Sequence, residues 1–321
     1  MMDRQTFERI VAQAALAPSV HNTQPARWRL DETGIDVLCD GAVALPVGDP
    51  DGRDAALSCG AAVEATVIAL SAEGIAVTVE DLWAGQGPGV RPVARLTFAG
   101  SCEPDPMARQ LERRYTHRGL FAEGPVSLFG WGRADTMLLT DPTRKAWLAA
   151  LNDRVSLQVM RDARFRRELL GWIRLLPWDR RAEIDGLSRE AMRMSPAVAI
   201  AARLVLGPLW RLCDLLGLTA AITAEAEATI SAQAIACFHR PLDESPVVSG
   251  RAYLRMCLEA AHLGMAGWPM AALADTRESR TEICQRIGIP EDRRLVQVLR
   301  FGKVDGPPPP RARRSAETLI L

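Results

Sequence analysis

Hydrophobic positions along the first hundred residues fall into two spacings. Apolar residues three and four positions apart indicate helices, and strict alternation indicates strands. In chain order the spacing predicts a helix from an Asp3 cap to about residue 17, strands over 26–31 and 35–39, a long helix that opens at 49–52 and ends at Gly74, and strands over 75–82 and 92–98. The long helix carries Gly60-Ala61-Ala62, a small surface against which another backbone can pack closely.

After a polar stretch at 100–106, the pattern becomes mostly helical. The predicted elements are a helix before residue 113, a strand over 137–140, helical segments over 143–173, 249–263 and 276–288, a strand over 294–301, and a strand-like end over 318–321. The longest apolar region, 196–223, contains Arg203, Arg211 and Asp214. It is too polar for a membrane span and predicts buried or lid helices.

Composition narrows the class of protein. The 321 residues are 48% hydrophobic, and their formal net charge is +0, so no overall field favours nucleic acid or an anionic membrane. The seven cysteines form no Cys-x-x-Cys pair, and the four histidines lack metal-ligand spacing. The charged N-terminus has no signal-peptide core. We therefore expect a reduced, cytoplasmic protein without a metal site, a nucleic-acid partner or a membrane attachment.

Residues 17–25, here called the motif loop, carry the most distinctive pattern. Pro18-Ser19-x-x-Asn22-x-Gln24-Pro25 is stiffened by its two prolines, and its polar side chains suit either a binding loop or an ordinary turn. The pattern resembles the Pro-Ser-x-x-Asn-x-Gln-Pro motif of the nitroreductase-like flavoproteins. Together with the stretch 49–62, it is most similar to the long, single-chain Acg-type group of that superfamily.

The resemblance implies an α+β, nitroreductase-like fold. Two fused half-domains, 1–100 and 101–321, would form mixed or antiparallel sheets with packed helices and would act as an intramolecular dimer. A helical, lid-like insertion would occupy about 160–222, and a C-terminal arm would occupy 305–321. The chain would function as a monomer, and further homodimerisation stays open. The implied cofactor is FMN, one per chain, because each half lacks the motif that the other half keeps.

Two segments of the second half resemble the parts of the family that hold the flavin. Arg114-x-Thr116-x-Arg118 is similar to an Arg-x-Ser-x-Arg/Lys motif. In that motif the first Arg and the hydroxyl hold the phosphate, and the last cation approaches N1 and O2 of the ring. Pro269-Met270-Ala271 is similar to a loop against the flavin face, whose backbone N–H, here that of Ala271, donates toward N5. The alternatives are a solvated arginine run and, for the neighbouring Trp268, a place in the core.

The remaining site residues come from the two ends of the chain. By resemblance, Ser19, Asn22 and Gln24 complete the site, with Ser19 and Asn22 reaching polar ring atoms or the ribityl chain. The cluster Arg311, Arg313 and Arg314 is similar to the basic arm that finishes the phosphate site, with Arg313 and Arg314 favoured. A disordered basic tail is the alternative interpretation of that cluster.

The implied function is that of an oxidoreductase. NAD(P)H would give a hydride to N5 of FMN, and the electrons would pass to a nitroaromatic, a quinone or a similar small aromatic acceptor, with no side chain required as a catalyst. The alternative is a protein that binds or sequesters FMN, because the Arg-dense insertion resembles a lid that would keep NAD(P)H from N5. A structural relic without cofactor is a third interpretation. The sequence leaves the acceptor, and the choice of NADH or NADPH, open.

Overall fold

The first part of the chain forms one antiparallel sheet and two helices. The computed structural model describes residues 2–128 and 131–321. Its first elements are α1 (Arg4–Ala14), β1 (Ala26–Leu30), β2 (Gly34–Asp40), α2 (Arg53–Ala72), β3 (Ile75–Asp81) and β4 (Val90–Ser101). The strand order is β1-β2-β4-β3, with every neighbouring pair antiparallel. All of the elements predicted for this part are confirmed. Helix α2 begins later than expected, since Pro50 lies in the turn before it.

The second part of the chain forms a second antiparallel sheet with many short helices. Its elements are α3 (Ala108–Arg113), β5 (Thr136–Leu139), α4 (Pro142–Met160), α5 (Ala163–Trp172), β6 (Ile173–Arg174), β7 (Leu187–Ser188), α6 (Pro196–Leu206), α7 (Trp210–Leu215), α8 (Thr219–Thr223), α9 (Ala226–Ser231), β8 (Ala234–Pro241), α10 (Pro246–His262), β9 (Ala266–Pro269), α11 (Ala271–Asp275), α12 (Arg277–Ile287), β10 (Arg293–Gly302) and α13 (Ala316–Leu319). The strand order is β5-β8-β10-β9. The α+β class is therefore confirmed.

Three details of the sequence interpretation are corrected. Strand β8 was not predicted because six of its eight residues are buried, so its two faces show no alternation. The predicted helical segment 143–173 is two helices, α4 and α5, because Asp162 caps the second one. The end of the chain is a short helix, α13, rather than a strand. Only Ile320 keeps strand pairing, as a single bridge to Trp28.

Helices α2 and α10 join the two parts through glycines at their crossing. A Cβ on Gly60 would lie 2.1 Å from the Val247 carbonyl oxygen, and one on Gly250 would lie 2.3 Å from the Leu57 carbonyl oxygen. The close approach predicted at Gly60 is therefore confirmed. Of the described helices, only α2 is long and apolar enough to cross a membrane, and most of it is buried inside the protein as a core helix.

The hydrophobic core also passes between the two parts. The core of the first sheet packs apolar side chains of α1, β1, β2 and α2 against Val247, Leu254 and Leu258 of α10. The C-terminal arm returns to this same core, where Leu319 is buried and the Leu321 N–H donates to the Trp28 carbonyl at 2.9 Å. The last residues of the chain are thus held beside β1, the strand that follows the motif loop.

The apolar region 196–223 lies on the surface. Its helices α6, α7 and α8 bury only Ala199, Trp210 and Thr219 respectively. The expectation of buried helices is wrong for this region, because most of its apolar side chains face outward. The insertion also contacts the motif loop, at Ile184 and Gly186, and these contacts are the ones that a lid would need.

Candidate functional site

The motif loop has an unusual backbone. His21, Asn22 and Gln24 have φ angles of 46°, 57° and 53°, a region that residues other than glycine seldom adopt. Each such residue costs on the order of 1 kcal/mol, so the surrounding contacts must hold the loop in place. Two hydroxyl groups supply such contacts: Ser19 Oγ accepts from the Gln24 N–H at 3.0 Å, and Ser58 Oγ on α2 accepts from the Val20 N–H at 3.1 Å.

The side-chain amide of Asn22 connects the motif loop to two distant segments. Its Nδ2 donates to the carbonyl oxygens of Gly186 and Ala312, both at 3.1 Å, and its Oδ1 accepts from Arg313 Nη1 at 2.8 Å. Both amide hydrogens and the carbonyl oxygen are therefore used within the protein. The contact of Asn22 with FMN stays a prediction, and the structure shows the side chain tying the insertion and the arm together.

Gln24 makes a parallel set of contacts. Its Nε2 donates to the Ile184 carbonyl at 2.8 Å, and its Oε1 accepts from the Arg314 N–H at 2.9 Å. The insertion and the C-terminal arm are thus both hydrogen-bonded to the motif loop. Sequence reasoning missed this arrangement because the partners are 160 and 290 residues away.

Arg114, Arg311 and Arg313 form a cationic cluster beside the motif loop. Arg114 Nη2 donates to the Leu16 carbonyl at 3.0 Å, and Arg313 Nε donates to the Ala15 carbonyl at 2.8 Å. Arg311 donates to the carbonyls of Glu112 and Arg114. Within the described residues, none of the three guanidinium groups is ion-paired with a carboxylate.

The electrostatics of this cluster favour an anion. Burial, together with the neighbouring charges of Arg114 and Arg311, lowers the pKa of Arg313 to about 9. Burial is also the main cause of the lowered pKa of Arg114 and of Arg311. Arg114 is buried, and Arg311 and Arg313 are partly buried. Removing cations from water without a counter-charge is costly, and charge-assisted bonds to a dianion would offset that cost. The cluster therefore suits a phosphate group.

Arg314 lies in a different environment. Its Nη2 is 2.9 Å from Oδ2 of Asp185, a carboxylate whose side chain is fully buried. Asp185 also pairs with Arg174 at 2.9 Å and with Arg181. Of the two arginines favoured from the sequence, Arg313 belongs to the unpaired cluster, whereas Arg314 helps to fasten the insertion. The phosphate role of Arg314 stays a prediction that these contacts do not support.

The segment 114–118 runs beside β9. Thr116 forms a parallel bridge with Gly267, and the His117 N–H donates to the Gly267 carbonyl at 3.0 Å. This pairing brings the arginine motif next to the strand that ends at Pro269. The structure therefore brings together two groups of predicted site residues that are separated by about 150 positions in the sequence.

Arg118 is a partly buried cation whose charge acts on the motif loop. It makes no hydrogen bond or ion pair with any other described residue, and burial lowers its pKa to about 10, opposed by the charge of Glu225. Burial, together with the positive charge of Arg118, lowers the pKa of His21 in the motif loop to about 4. The His21 ring is therefore neutral at neutral pH. The two side chains thus approach one another from different parts of the chain. Sequence reasoning did not single out His21, although it lies inside the motif.

Met270 and Ala271, the two residues after Pro269, differ in how their backbone N–H groups are used. Met270 is buried, and its N–H donates to the Val298 carbonyl at 2.7 Å, so its backbone is used by the sheet. Ala271 is the first residue of α11, and the N–H groups at the start of a helix have no partner within the helix. The structure therefore leaves a backbone donor at the residue where the sequence expects one.

Trp268 of β9 and Arg300 of β10 form a contact that the sequence does not predict. Arg300 is fully buried, its Nη2 lies 2.6 Å from Glu225 Oε2, and its guanidinium stands 4.3 Å from the centre of the Trp268 ring. Its Nη1 is buried without a hydrogen-bond partner among the described residues. Glu225 thus pairs with Arg300 while it also acts on Arg118.

One cavity in the described part of the chain borders the motif loop, and a larger one lies away from the predicted site residues. The first, of about 20 Å³, borders the loop at Ser19 and Gln24 and is too small for a flavin. The other, about 480 Å³, is polar and lined by Arg133, Asp135 and Arg240, and no predicted site residue borders it. Among residues 2–128 and 131–321, no three His, Cys, Asp or Glu side chains are grouped as a metal site requires.

Comparison with known proteins gives partial matches. No family model matches the chain. A Mycobacterium tuberculosis protein named "Putative NAD(P)H nitroreductase Rv3131" is 42% identical over 72 residues, which are 22% of this chain and 21% of that protein. Another, named "Putative NAD(P)H nitroreductase acg", is 34% identical over 80 residues, which are 25% of this chain and 24% of that protein. The matches thus span about a quarter or less of the length of these curated relatives.

Similar solved structures include a nitroreductase and its mutants. The FMN and NADPH-dependent nitroreductase NfnB from sphigopyxis sp. strain HMH aligns with 63% of this chain and 93% of its own, at 18% identity and a TM-score of 0.33. A mutant of the same protein aligns with 63% of this chain and 90% of its own, at 16% identity and a TM-score of 0.34. The similarity to nitroreductase-like proteins, Acg among them, is therefore confirmed by the sequence matches over the segments that they cover.

Proposed function

We propose that the chain is an FMN-dependent oxidoreductase that takes electrons from NAD(P)H and gives them to a nitroaromatic, a quinone or a similar small aromatic acceptor. The observation that carries the proposal is the cluster of Arg114, Arg311 and Arg313. These arginines are hydrogen-bonded to neutral groups and, within residues 2–128 and 131–321, lack a carboxylate partner. A terminal phosphate dianion fits such a cluster. The names of the matched relatives support the same class of reaction.

Arg118 and the backbone N–H of Ala271, near the two ends of the β9 region, would hold the flavin ring. Arg118 would supply a positive charge to N1 and O2, and the Ala271 N–H would donate toward N5. Ser19, Asn22 and Gln24 would shape the motif loop and fasten its neighbours, and direct flavin contacts from them are not needed. When bound, FMN would supply two-electron chemistry between NAD(P)H and the acceptor.

Catalysis would then depend on positioning and electrostatics. A preorganised cation such as Arg118 stabilises negative charge without reorganising at the moment of reaction. His21 would contribute a neutral ring at neutral pH, since its pKa is lowered to about 4. No side chain would need to act as a proton donor, because solvent can serve.

The phosphate assignment can be tested by substituting Arg313. We expect Arg313→Gln to weaken FMN binding by about 100-fold, because charge-assisted hydrogen bonds to a buried anion would be lost. Quenching of flavin fluorescence during titration of the purified chain measures the affinity. Arg154→Gln is the matched control, because Arg154 lies on the exposed side of α4 and pairs with Glu282. Equal affinities for the two variants would overturn the assignment.

A second candidate function is sequestration of FMN with little turnover. The contacts that favour it are those of the insertion with the motif loop at Ile184 and Gly186, and those of Glu168 with the Val47 and Gly48 N–H groups at 2.9 and 2.7 Å. An insertion held this firmly would restrict access of NAD(P)H. Rapid bleaching of the flavin by NADPH in the absence of oxygen would exclude this candidate, whereas bleaching by dithionite alone would favour it.

A further inference from the structure

The insertion, residues 160–222, exposes many large apolar side chains. Nine bulky aliphatic side chains between 198 and 222 are at least 41% exposed, among them Leu212, Leu215, Leu216 and Leu218. Monomeric proteins rarely expose contiguous apolar patches of this kind unless something binds there. We call the part of it on α6, α7 and α8 the apolar face.

The apolar face ends in a projecting tip between α7 and α8. Leu215 is 84% exposed and Leu216 is 62% exposed, and Gly217, with a φ of 73°, turns the chain toward Leu218. A leucine with 84% of its surface in solvent stands out from the protein rather than lining a groove. A projecting apolar tip is suited to entering a soft apolar layer, whereas a groove is suited to receiving a segment of a partner.

The insertion also holds an excess of positive charge. Residues 160–222 contain eleven arginines and seven acidic residues, a formal net charge of +4, so the rest of the chain carries −4. Arg167, Arg180, Arg193 and Arg211 are exposed, and none of them makes a side-chain hydrogen bond or an ion pair with another described residue. Other arginines of the insertion are neutralised, as Arg161 is by Asp214 at 3.1 Å.

The arginines and the apolar helices belong to one packed unit. Leu169 of α5, Met192, Met194 and Leu206 of α6 pack around a small buried cluster of Ile173, Leu175 and Ala199. Arg203 Nη1 of α6 donates to the Leu170 carbonyl at 2.9 Å, and Arg166 stacks on Trp210 of α7 at 4.4 Å. These contacts join α5, α6 and α7, and Arg211, one of the exposed arginines, lies on α7 beside the apolar Leu212 and Leu215.

The exposed leucines and the unpaired arginines together indicate which kind of surface the insertion binds. A second copy of the chain would bring the same net positive unit against itself in a two-fold contact, and like charges oppose that pairing. An anionic lipid headgroup layer is attracted by the unpaired arginines, and its acyl region accepts exposed leucines. We propose that the insertion docks the protein peripherally onto anionic membranes through the apolar face, with the tip at Leu215 and Leu216 inserted. This differs from the expectation that the chain has no membrane partner, which was drawn from its overall charge.

Co-sedimentation with lipid vesicles tests the proposal on the full chain loaded with FMN. We expect binding to vesicles that contain phosphatidylglycerol and phosphatidylcholine, little binding to phosphatidylcholine alone, and weakening as NaCl is raised. We expect Leu215→Ser to weaken binding by about tenfold, because a buried leucine contributes strongly to transfer from water. We expect Arg211→Gln to weaken binding to anionic vesicles by about fivefold.

Leu242→Ser is the matched control, because Leu242 is 56% exposed and lies outside the insertion. Its vesicle affinity should equal that of the parent chain, and the thermal unfolding of all three variants should be similar. Absence of binding to anionic vesicles would overturn the proposal. So would equal losses for Leu215→Ser and Leu242→Ser, or a dimer in sedimentation that Leu215→Ser dissociates.

Discussion

Asn22 and Gln24 of the motif loop hold distant segments of the chain in place, which their residue types alone do not predict. Asn22 and Gln24 were expected at the flavin, yet their side-chain amides are hydrogen-bonded to residues 184, 186, 312 and 314. The phosphate role of Arg313 stays a prediction, and among the described residues its guanidinium is hydrogen-bonded only to neutral groups. The residue types were thus recognisable from the motif, but their partners depend on chain segments more than 150 positions away.

His21 gives a prediction at the residue scale. As the pH falls below about 6.5, the unfolded chain binds a proton at His21, whereas the folded chain binds it only near pH 4. The free energy of unfolding therefore decreases as the pH is lowered from about 6.5 to about 4. We expect His21→Asn, which tolerates the positive φ, to remove on the order of 2 kcal/mol of that fall. Urea unfolding at pH 7 and pH 4.5 measures the effect. Losses of equal size in the parent and the variant would show that His21 is not the group responsible.

At the scale of elements, sequence patterning found those with a clear period and missed the others. Helix α2 and strands β1 to β4 were predictable because their apolar positions repeat at helical or strand spacing. Strand β8 was missed because six of its residues are buried, which removes the alternation. The strand-like end predicted over 318–321 is wrong: Ala316–Leu319 form a short helix, and four residues are too few to show a period.

The crossing of α2 and α10 gives a prediction at the element scale. We expect Gly60→Ala to destabilise the fold by about 2 kcal/mol or more, because its Cβ would lie 2.1 Å from the Val247 carbonyl oxygen. Gly171→Ala in α5 is the matched control, since among the described residues no heavy atom apart from its chain neighbours and its own helix backbone lies within 4 Å of the new Cβ. Alanine is the better helix former, so the control should gain up to about 1 kcal/mol. Thermal unfolding measures both changes, and a stable Gly60→Ala protein would refute the close packing.

Across the whole molecule, the site is assembled from pieces that are far apart in the chain. The motif loop comes from the first sheet, the arginine motif and β9 from the second, and Arg313 from an arm that returns to the first. The division into halves, 1–100 and 101–321, stays a prediction. The sheets do divide between β4 and β5, while the arm and α10 cross that boundary. The resemblance implied such an arrangement, and periodicity alone could not have shown it.

The insertion gives a prediction at the scale of the whole molecule. Glu168 accepts hydrogen bonds from the Val47 and Gly48 N–H groups, which fastens α5 to the first part of the chain. Hydrogen bonds to a charged group contribute about 2 kcal/mol, so Glu168→Ala should raise NAD(P)H oxidation several-fold by freeing the insertion. Glu227→Ala, an exposed change on α9, is the control. An unchanged rate in Glu168→Ala would argue against a lid.

The visible absorption spectrum of the purified chain, titrated with FMN and then mixed anaerobically with NADPH or NADH, tests the central claim most directly. The proposed function predicts flavin bands at one FMN per chain, and it predicts that a pyridine nucleotide bleaches them. Two bound FMN would contradict the single site, and bands that only dithionite bleaches would replace the oxidoreductase with a flavin-holding protein. A chain that takes up no FMN would contradict the account as a whole.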